Sequence, residues 1–262
     1  MVEEEASSSD TCAQAGRVRT EERRPTTSFK AMTDAHVATR GPLALVGGGE
    51  WQDGAPFDAE LLAQSDGEVC VLPTAAAYEH PERAVSTAES YFAKMGGRVR
   101  PLMVLTRTDA ESTEFARRVQ SARFVYLCGG SPLHLRSVLK DSPVLHGLIS
   151  AWKQGAVVAG SSAGAMVLTD PMVDPRGGAF TVGFGLVRNV AVVPHFSGEL
   201  TPQIRRTVAL APAGCAVVAL GERCALIREP DGTWRDSGRH EALVHLDGHV
   251  AGLEVLAGKP VC

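Results

Sequence analysis

The feature that most constrains this chain is an alternation, beginning at Gly41, of short apolar runs with amphipathic stretches. The first run, Pro42–Val46, leads into three consecutive glycines, and similar runs follow at Val69–Leu72, Val99–Leu105, Phe124–Leu127 and Ala156–Ala159. Buried strands that alternate with helices are typical of a parallel sheet covered on both faces. We therefore predict an α/β fold whose functional site lies at the carboxyl ends of the strands.

Helical periodicity fills the intervals between these runs, and it predicts helices over Glu82–Met95, Ala110–Gln120, Leu133–Leu139 and Val144–Gln154. The C-terminal part differs, because its apolar runs are separated by Asp-Gly dipeptides, which are typical of hairpin turns. We expect the mostly parallel sheet to end in short antiparallel strands, at Ala216–Leu220, Cys224–Arg228, Ala242–Leu246 and Val250–Leu256.

The N-terminal 40 residues have a different composition, rich in Glu, Arg, Ser and Thr and poor in aliphatic residues that could build a core. They predict a disordered extension over 1–40, followed by a single α/β domain over 41–262, and they leave Met32 as a candidate start. No apolar export signal opens the chain, and no run approaches the ~18 to 20 apolar residues of a membrane span. We expect a cytoplasmic protein.

The charge balance and the cysteines exclude several classes of partner and cofactor. A net charge of -4 and a pI near 6.1 provide no basic surplus for nucleic acid or an anionic membrane. The six cysteines form no CxxC pair and no Cys/His cluster with the spacing of metal ligands. The sequence therefore implies neither a metal nor a cofactor, and it leaves the oligomeric state open, a homodimer included.

The segment Gly160-Ser161-Ser162-Ala163-Gly164 fits the pattern G-x-S-x-G of a nucleophile elbow. It follows a predicted strand and opens a predicted helix, and its glycines allow a turn tight enough to expose the serine hydroxyl. Ser162 is thus the candidate nucleophile. The alternative is a glycine-rich helix start that binds a phosphate or nothing.

A nucleophilic serine needs a base, and His195 is the best placed of the eight histidines, because it ends the apolar run Val190–Val193. A carboxylate should orient that imidazole. Glu222, in a turn between two predicted strands, is the leading candidate, and Asp174, between Ser162 and His195 in the chain, is its rival.

The oxyanion of an acyl-transfer intermediate requires two backbone N–H donors. Ala163, the residue after the nucleophile, is expected to supply one of them. Gly129-Gly130, at the end of the fourth predicted strand, offers the second, because a backbone without Cβ lets a substrate approach closely. We assign Gly130 to this role, although an ordinary strand-ending turn would look the same in the sequence.

Three segments in this order, Cys128–Pro132, Gly160–Ala165 and Pro194–Phe196, resemble the S51 peptidase family, which includes aspartyl dipeptidase and cyanophycinase. The resemblance covers roughly residues 41 to 228. It implies a fold like that of class I glutamine amidotransferases and a Ser-His-Glu triad, with Ser162 as nucleophile and His195 as base. The stretch Ala219–Ala225 resembles the segment that carries the family's triad glutamate, which favours Glu222 over Asp174.

Two positions depart from the family pattern and leave the substrate open. Ser131-Pro132 stands where members often carry Asp-Gln or Asn-Thr, and Gly221 replaces the Asp that usually precedes the triad Glu. The family's better-known substrates carry an aspartyl unit, so we expect an arginine near Ser162 to bind a carboxylate. The candidates are Arg176, Arg188, Arg205 and Arg206.

The sequence thus predicts a serine-type hydrolase of peptide or amide bonds in a small peptide substrate. The main alternative is a non-catalytic amidotransferase-like domain that binds a ligand at the same elbow. A glutamine amidotransferase proper would use a cysteine where Ser162 stands. In an unrelated α/β-hydrolase the histidine normally follows the acid, whereas His195 precedes Glu222.

Overall fold

A computed structural model describes residues 40–262 of the chain. The expected extension over residues 1–40, with the candidate start at Met32, therefore lies outside the described residues except for its last position. The strands are β1 (Leu43–Val46), β2 (Glu68–Leu72), β3 (Arg98–Pro101), β4 (Phe124–Leu127), β5 (Val157–Ser161), β6 (Thr169–Asp170), β7 (Met172–Val173), β8 (Phe180–Thr181), β9 (Val187–Arg188), β10 (Val190–Val193), β11 (Ala216–Ala219), β12 (Cys224–Arg228), β13 (Trp234–Gly238), β14 (Leu243–Leu246) and β15 (His249–Ala251).

The helices lie between these strands: α1 (Pro56–Ala63), α2 (Pro81–Lys94), α3 (Arg107–Ala110), α4 (Thr113–Gln120), α5 (Pro132–Leu139), α6 (Pro143–Lys153), α7 (Ala163–Leu168) and α8 (Pro202–Leu210). Two short 3₁₀ helices span Thr74–Ala76 and Leu253–Leu256. Within residues 40–262, no helix is long and apolar enough to cross a membrane.

The main sheet has seven strands in the order β13-β12-β1-β5-β4-β2-β3. The pairs from β1 to β3 are all parallel, and β12 and β13 add an antiparallel edge beside β1. The predicted α/β fold class, a mostly parallel sheet that ends in antiparallel strands, is confirmed. The order places the carboxyl ends of β1, β5 and β4 next to one another.

Both faces of the sheet are buried, as the uninterrupted apolar runs predict. Along β1, Leu43 and Leu45 pack into one core cluster, which also contains side chains of α5, α6 and α7. The intervening Ala44 and Val46 pack into a second cluster with residues of α1 and α2. The alternation follows from the two-residue period of a strand, and it confirms helices on both faces.

The C-terminal strands depart in part from the prediction. The strands β12 and β13 join the main sheet, but β14 and β15 belong to a separate four-stranded sheet, ordered β10-β11-β14-β15, in which β10 and β11 pair in parallel. The predicted strand Val250–Leu256 is a strand only as far as Ala251, and its second half forms a 3₁₀ helix. Strand-like patterning indicates extended structure but does not specify which sheet a strand joins.

Two helices also differ from the periodicity prediction. The stretch Ala110–Gln120 is divided into α3 and α4, because the Ser112 side chain accepts a hydrogen bond from Phe115 N at 3.3 Å and begins a new helix there. The helix α1 was not predicted, since it buries Asp58 together with Phe57 and so lacks an apolar stripe that periodicity could detect.

Candidate active site

Ser162 occupies a tight turn between β5 and α7. Its backbone angles, φ 47° and ψ -104°, lie in a region that residues with a side chain rarely adopt. A methyl group at Gly160 would lie 2.5 Å from the Gly164 carbonyl carbon, and one at Gly164 would lie 2.4 Å from Leu127 O. Both glycines are therefore required for α7 to pack against β5 and β4, and the turn leaves the Ser162 side chain partly exposed.

His195 follows β10, and its ring lies against the hydroxyl of the elbow. The Ser162 Oγ atom is 2.8 Å from His195 Nε2, which is a hydrogen-bond distance. The backbone N–H of His195 donates to Gly47 O at 2.8 Å. A methyl group at Gly48 would lie 2.4 Å from His195 Cε1, so the glycine turn after β1 makes room for the imidazole ring.

The second ring nitrogen of His195 faces Glu222. Glu222 Oε1 lies 3.4 Å from His195 Nδ1, and the two side chains are 56% and 52% exposed. The turn that carries Glu222 is attached to the same glycine loop, because Arg223 N donates to Gly48 O at 2.8 Å. A long contact in a half-exposed setting is typical of a site that tightens when a substrate excludes water.

Asp174, the rival acid, lies in a different environment. Its carboxylate accepts two hydrogen bonds from the Arg176 guanidinium, at 3.0 and 2.6 Å. These bonds, with help from the Arg176 backbone N–H, lower the pKa of Asp174 to about 2. Among the described residues, neither a hydrogen bond nor an ion pair joins Asp174 to His195. Of the two predicted acids, Glu222 is the one that the structure brings to the imidazole.

The two predicted oxyanion donors lie at the ends of neighbouring strands. Ala163 is the first residue of α7, and Gly130 follows β4 with φ 130°. A methyl group at Gly130 would lie 2.4 Å from Ala75 O, so only glycine fits this close turn. Within residues 40–262, Gly130 N donates no hydrogen bond, whereas the next amide, Ser131 N, donates to Ala75 O at 2.8 Å.

Sequence reasoning missed Glu50, which follows the three glycines after β1. Its Oε1 accepts from Gly129 N and its Oε2 accepts from Ser161 Oγ, each at 2.7 Å. One carboxylate therefore binds the residue before each of two predicted site residues, Gly130 and Ser162. The available signal was position, because the loop after the first strand lies at the edge where the carboxyl ends of the parallel strands collect.

Two cavities adjoin the imidazole. One has a volume of about 380 Å³ and is lined by three loop segments. They contribute His195, Phe196, Ser197 and Gly198, then Glu222 and Arg223, then His240 and Glu241. The other, of about 260 Å³, lies between His195 and α8 and is mainly apolar. Arg223 has a buried Nε with no hydrogen-bond partner among the described residues. Its position in the sequence does not indicate a place in the wall of the first cavity.

The four arginines predicted near Ser162 lie elsewhere, since none of them lines either cavity. Arg176 is paired with Asp174, while Arg205 Nε and Arg206 Nε donate to Leu200 O and Gly177 O, each at 3.1 Å. Arg188 is exposed on β9. The expectation that one of these four lines the pocket is therefore wrong. For Arg205 and Arg206, helical spacing after His195 does not determine which face of α8 meets the site, and for Arg176 and Arg188, a place between the nucleophile and the base in the chain does not determine where the side chain points.

The thiol of Cys128, which precedes the Gly129-Gly130 turn, is fully buried. Burial, with a smaller contribution from the negative charge of Glu50, raises its pKa to about 12. A thiol with so high a pKa supplies almost no thiolate at neutral pH, so Cys128 is not an activated nucleophile. The Ser162 hydroxyl is partly exposed at this edge of the sheet and is hydrogen-bonded to an imidazole.

A serine in a strained strand-to-helix turn, hydrogen-bonded to an imidazole at the carboxyl edge of a parallel sheet, defines a serine hydrolase. Comparison with known sequences makes the class more specific. Residues 43–233 match the sequence profile of peptidase family S51. The chain belongs to this family and is a serine-type peptidase.

Individual relatives agree with this assignment. The cyanophycinase of Synechococcus elongatus is 27% identical over 225 residues, which cover 79% of this chain and 68% of the cyanophycinase. The peptidase YgaJ of Bacillus subtilis is 28% identical over 172 residues, which cover 60% of this chain and 69% of that protein. A solved peptidase from an acI-B1 actinobacterium superposes with a TM-score of 0.74 at 27% identity, covering 82% of this chain and 94% of that structure.

Proposed function

We propose that this serine peptidase hydrolyses an amide bond of a small peptide with a Ser162-His195-Glu222 triad. The observation that carries the proposal is the 2.8 Å contact between Ser162 Oγ and His195 Nε2 in a strained strand-to-helix turn. The alternative of a non-catalytic binding domain depended on a histidine that cannot reach the serine. The short contact counts against that alternative.

In the acylation step Ser162 Oγ attacks the substrate carbonyl carbon while its proton passes to His195 Nε2. The Glu222 carboxylate accepts a hydrogen bond from Nδ1–H, which orients the ring and stabilises the imidazolium. The N–H groups of Gly130 and Ala163 bind the oxyanion. His195 then gives its proton to the departing amine, and the acyl group remains on Ser162.

Deacylation repeats the same proton transfers with water as the nucleophile. His195 Nε2 takes a proton from the water, whose oxygen attacks the acyl carbon. Collapse of the second tetrahedral intermediate releases a carboxylic acid and returns the proton to Ser162 Oγ. No group outside the triad and the two amides is required for the proton balance.

The cavity beside His195 can hold a small substrate, and its lining combines the carboxylates of Glu222 and Glu241 with one guanidinium. Its volume of about 380 Å³ suits one or two amino-acid residues. Arg223 is the guanidinium on its wall, and it forms no ion pair with another described residue. A planar guanidinium binds a carboxylate through two parallel hydrogen bonds, so we assign to Arg223 the role first expected of the other four arginines.

A fluorophosphonate probe tests the proposal, because it phosphonylates an activated serine and releases fluoride. We expect mass spectrometry of the digested protein to locate the label on Ser162, and Ser162→Ala to abolish both labelling and peptide hydrolysis. Asp-X dipeptides should be cleaved faster than Asn-X dipeptides, and Arg223→Met should remove that preference through KM. Absence of labelling, or a label on another serine, would refute the assignment of the nucleophile.

A further inference from the structure

We infer that Glu50 is a positioning residue, which holds the oxyanion-binding turn and the nucleophile elbow in register with each other. The inference rests on the proposed function, because it takes Ser162 as the nucleophile and Gly130 as an oxyanion donor. Glu50 itself need not touch the substrate. It acts through Gly129 and Ser161, the two residues that its carboxylate binds.

The two hydrogen bonds are short and charge-assisted. Each measures 2.7 Å, and each uses a different oxygen of the same carboxylate. Because a carboxylate is planar and rigid, fixing one oxygen on Gly129 N restricts where the other can meet Ser161 Oγ. The ends of β4 and β5 are thereby joined by a bond that the ladder between the two strands does not supply.

The surroundings show that these bonds are specific. Ser161 is fully buried, so its hydroxyl would lose its partner without Glu50. At Gly129, a methyl group would lie 2.8 Å from Glu50 Oε1, so a side chain there would push the carboxylate away. Three features therefore meet at one point: a carboxylate, a buried hydroxyl and a position where glycine permits the approach.

The bond to Gly129 has a consequence for the oxyanion site. It turns the Gly129 N–H toward Glu50, and the peptide between Gly130 and Ser131 is held by the hydrogen bond from Ser131 N to Ala75 O at 2.8 Å. With both neighbours fixed, the Gly130 N–H keeps one direction and needs no reorganisation when negative charge develops on the substrate. Loss of Glu50 would free the Gly129 peptide and let this donor move away from the oxyanion.

Glu50 also belongs to the loop that holds the base. The same loop supplies Gly47 O, which accepts from His195 N, and Gly48, against which the imidazole ring packs. A single loop after β1 thus contacts the base, the residue before the nucleophile and the oxyanion turn. A displacement of about 1 Å in such an arrangement can lower the rate about 10²-fold.

Two substitutions of similar size separate this role from simple packing. Glu50→Met fills the space but accepts neither hydrogen bond, whereas Glu50→Gln can accept from Gly129 N and donate to Ser161 Oγ. We expect the maximal rate of fluorophosphonate labelling at Ser162 to fall about 10²-fold in Glu50→Met and less than about 10-fold in Glu50→Gln. The probe concentration at half-maximal rate should not change in either variant, because a positioning residue acts through Gly129 and Ser161 and not on the probe itself.

Controls distinguish the outcomes. Glu89→Ala removes a negative charge from the exposed face of α2, far from Glu50 in the chain. This variant should be labelled at the wild-type rate. If wild-type protein is not labelled at Ser162, the proposed function fails. If wild type is labelled and folded Glu50→Met is labelled equally fast, only the role of Glu50 fails.

The remaining outcomes are also decisive. Equal losses in the Met and Gln variants would overturn positioning by two hydrogen bonds and assign the effect to the charge. If Glu50→Met does not unfold cooperatively, Glu50→Asp replaces it, since the shorter carboxylate cannot reach both donors. A positioning role predicts slower labelling of folded Glu50→Asp, and a wild-type rate would overturn it.

Discussion

The two sides of the active site are built differently. On the nucleophile side, Ser161 and Ala163 are fully buried around Ser162, and glycines allow backbone to pack directly on backbone. On the base side, His195 and Glu222 are about half exposed, and 3.4 Å separates His195 Nδ1 from Glu222 Oε1. The first side is fixed by packing, whereas the second depends on a few polar contacts to one loop.

This contrast shows where the site can still adjust. The elbow has strained backbone angles that persist because buried neighbours hold it in place. It is therefore preorganised before the substrate arrives. The imidazole is positioned by the bond from its own backbone N–H to Gly47 O, by the close approach of Gly48 and by the long contact with Glu222. The half-exposed pair can therefore tighten when a substrate displaces water. Substitutions that affect the base side test this difference most directly.

The largest effect is expected from Gly48→Ala. The new methyl group would lie 2.4 Å from His195 Cε1 and 2.6 Å from Nδ1, so the ring must move away from Ser162. We expect kcat to fall about 10³-fold, because the base loses its hydrogen-bond distance to the nucleophile. Peptide hydrolysis and fluorophosphonate labelling of Ser162 would both report the loss.

Gly67→Ala is the matched control for backbone strain. Gly67 also has a positive φ, of 79°, but a methyl group there meets no atom within 4 Å. The control should lower the unfolding free energy by about 1 kcal/mol while kcat remains at the wild-type value. Similar losses of kcat in both variants would mean that strain, and not displacement of His195, causes the effect.

A smaller effect is expected from Glu222→Gln, about 10²-fold in kcat. A glutamine amide can donate to Nδ1, which would leave the proton on Nε2 and prevent that nitrogen from accepting the Ser162 proton. We expect less than the ~10⁴-fold loss known for a buried triad acid, because Glu222 is half exposed and water can replace part of its role.

Asp174→Asn is the comparison variant for the acid. Asp174 is paired with Arg176, so its substitution should leave kcat and its pH profile unchanged. Steady-state kinetics of both variants between pH 5 and 9 would rank the two carboxylates. A larger loss in Asp174→Asn would transfer the orienting role to Asp174 and refute the triad as proposed.

The elbow and the imidazole could be predicted from the sequence because short segments determine them. Ser162 and His195 each end an apolar run, and the ends of parallel strands collect at one edge of a sheet. Glu50 could not be assigned a role in this way. Its partner Ser161 lies 111 residues away in the chain, and the direction of a side chain after a glycine turn depends on the folded backbone.

Contacts between distant parts of the chain also limit how much of the fold can be predicted from the sequence. The order of strands and helices follows from local periodicity, so the parallel core could be predicted. The separate sheet formed by β10, β11, β14 and β15 could not, because strand pairing over long separations is decided by packing. The helix α1 could not be predicted for a related reason. Its buried face includes the acidic residue Asp58, so the sequence shows no apolar stripe there.

Asp58, on α1, is fully buried, in contrast to the half-exposed Glu222 of the base side. Its side chain is fully buried among aromatic residues of the second core cluster, and its two oxygens accept no hydrogen bond from the described residues. Burial raises the pKa of Asp58 to about 7, and the negative charge of Glu50 adds to the shift. The carboxyl group therefore keeps its proton in the folded protein at mildly acid pH.

The last prediction is that Asp58→Asn changes stability but not catalysis. The unfolded chain releases this proton near pH 3.8 and the folded protein near 7, so the folded state binds more protons between these values. Wild-type stability should therefore lose on the order of 4 kcal/mol from this group as the pH rises through that window. Asparagine cannot ionise, so the variant should lack this loss. Urea unfolding of both proteins from pH 4 to 8 measures the difference, which should grow with pH while kcat stays unchanged. Parallel stability curves would show that the carboxyl does not titrate with a raised pKa, and a reduced kcat would mean that the charge of Asp58 affects the site.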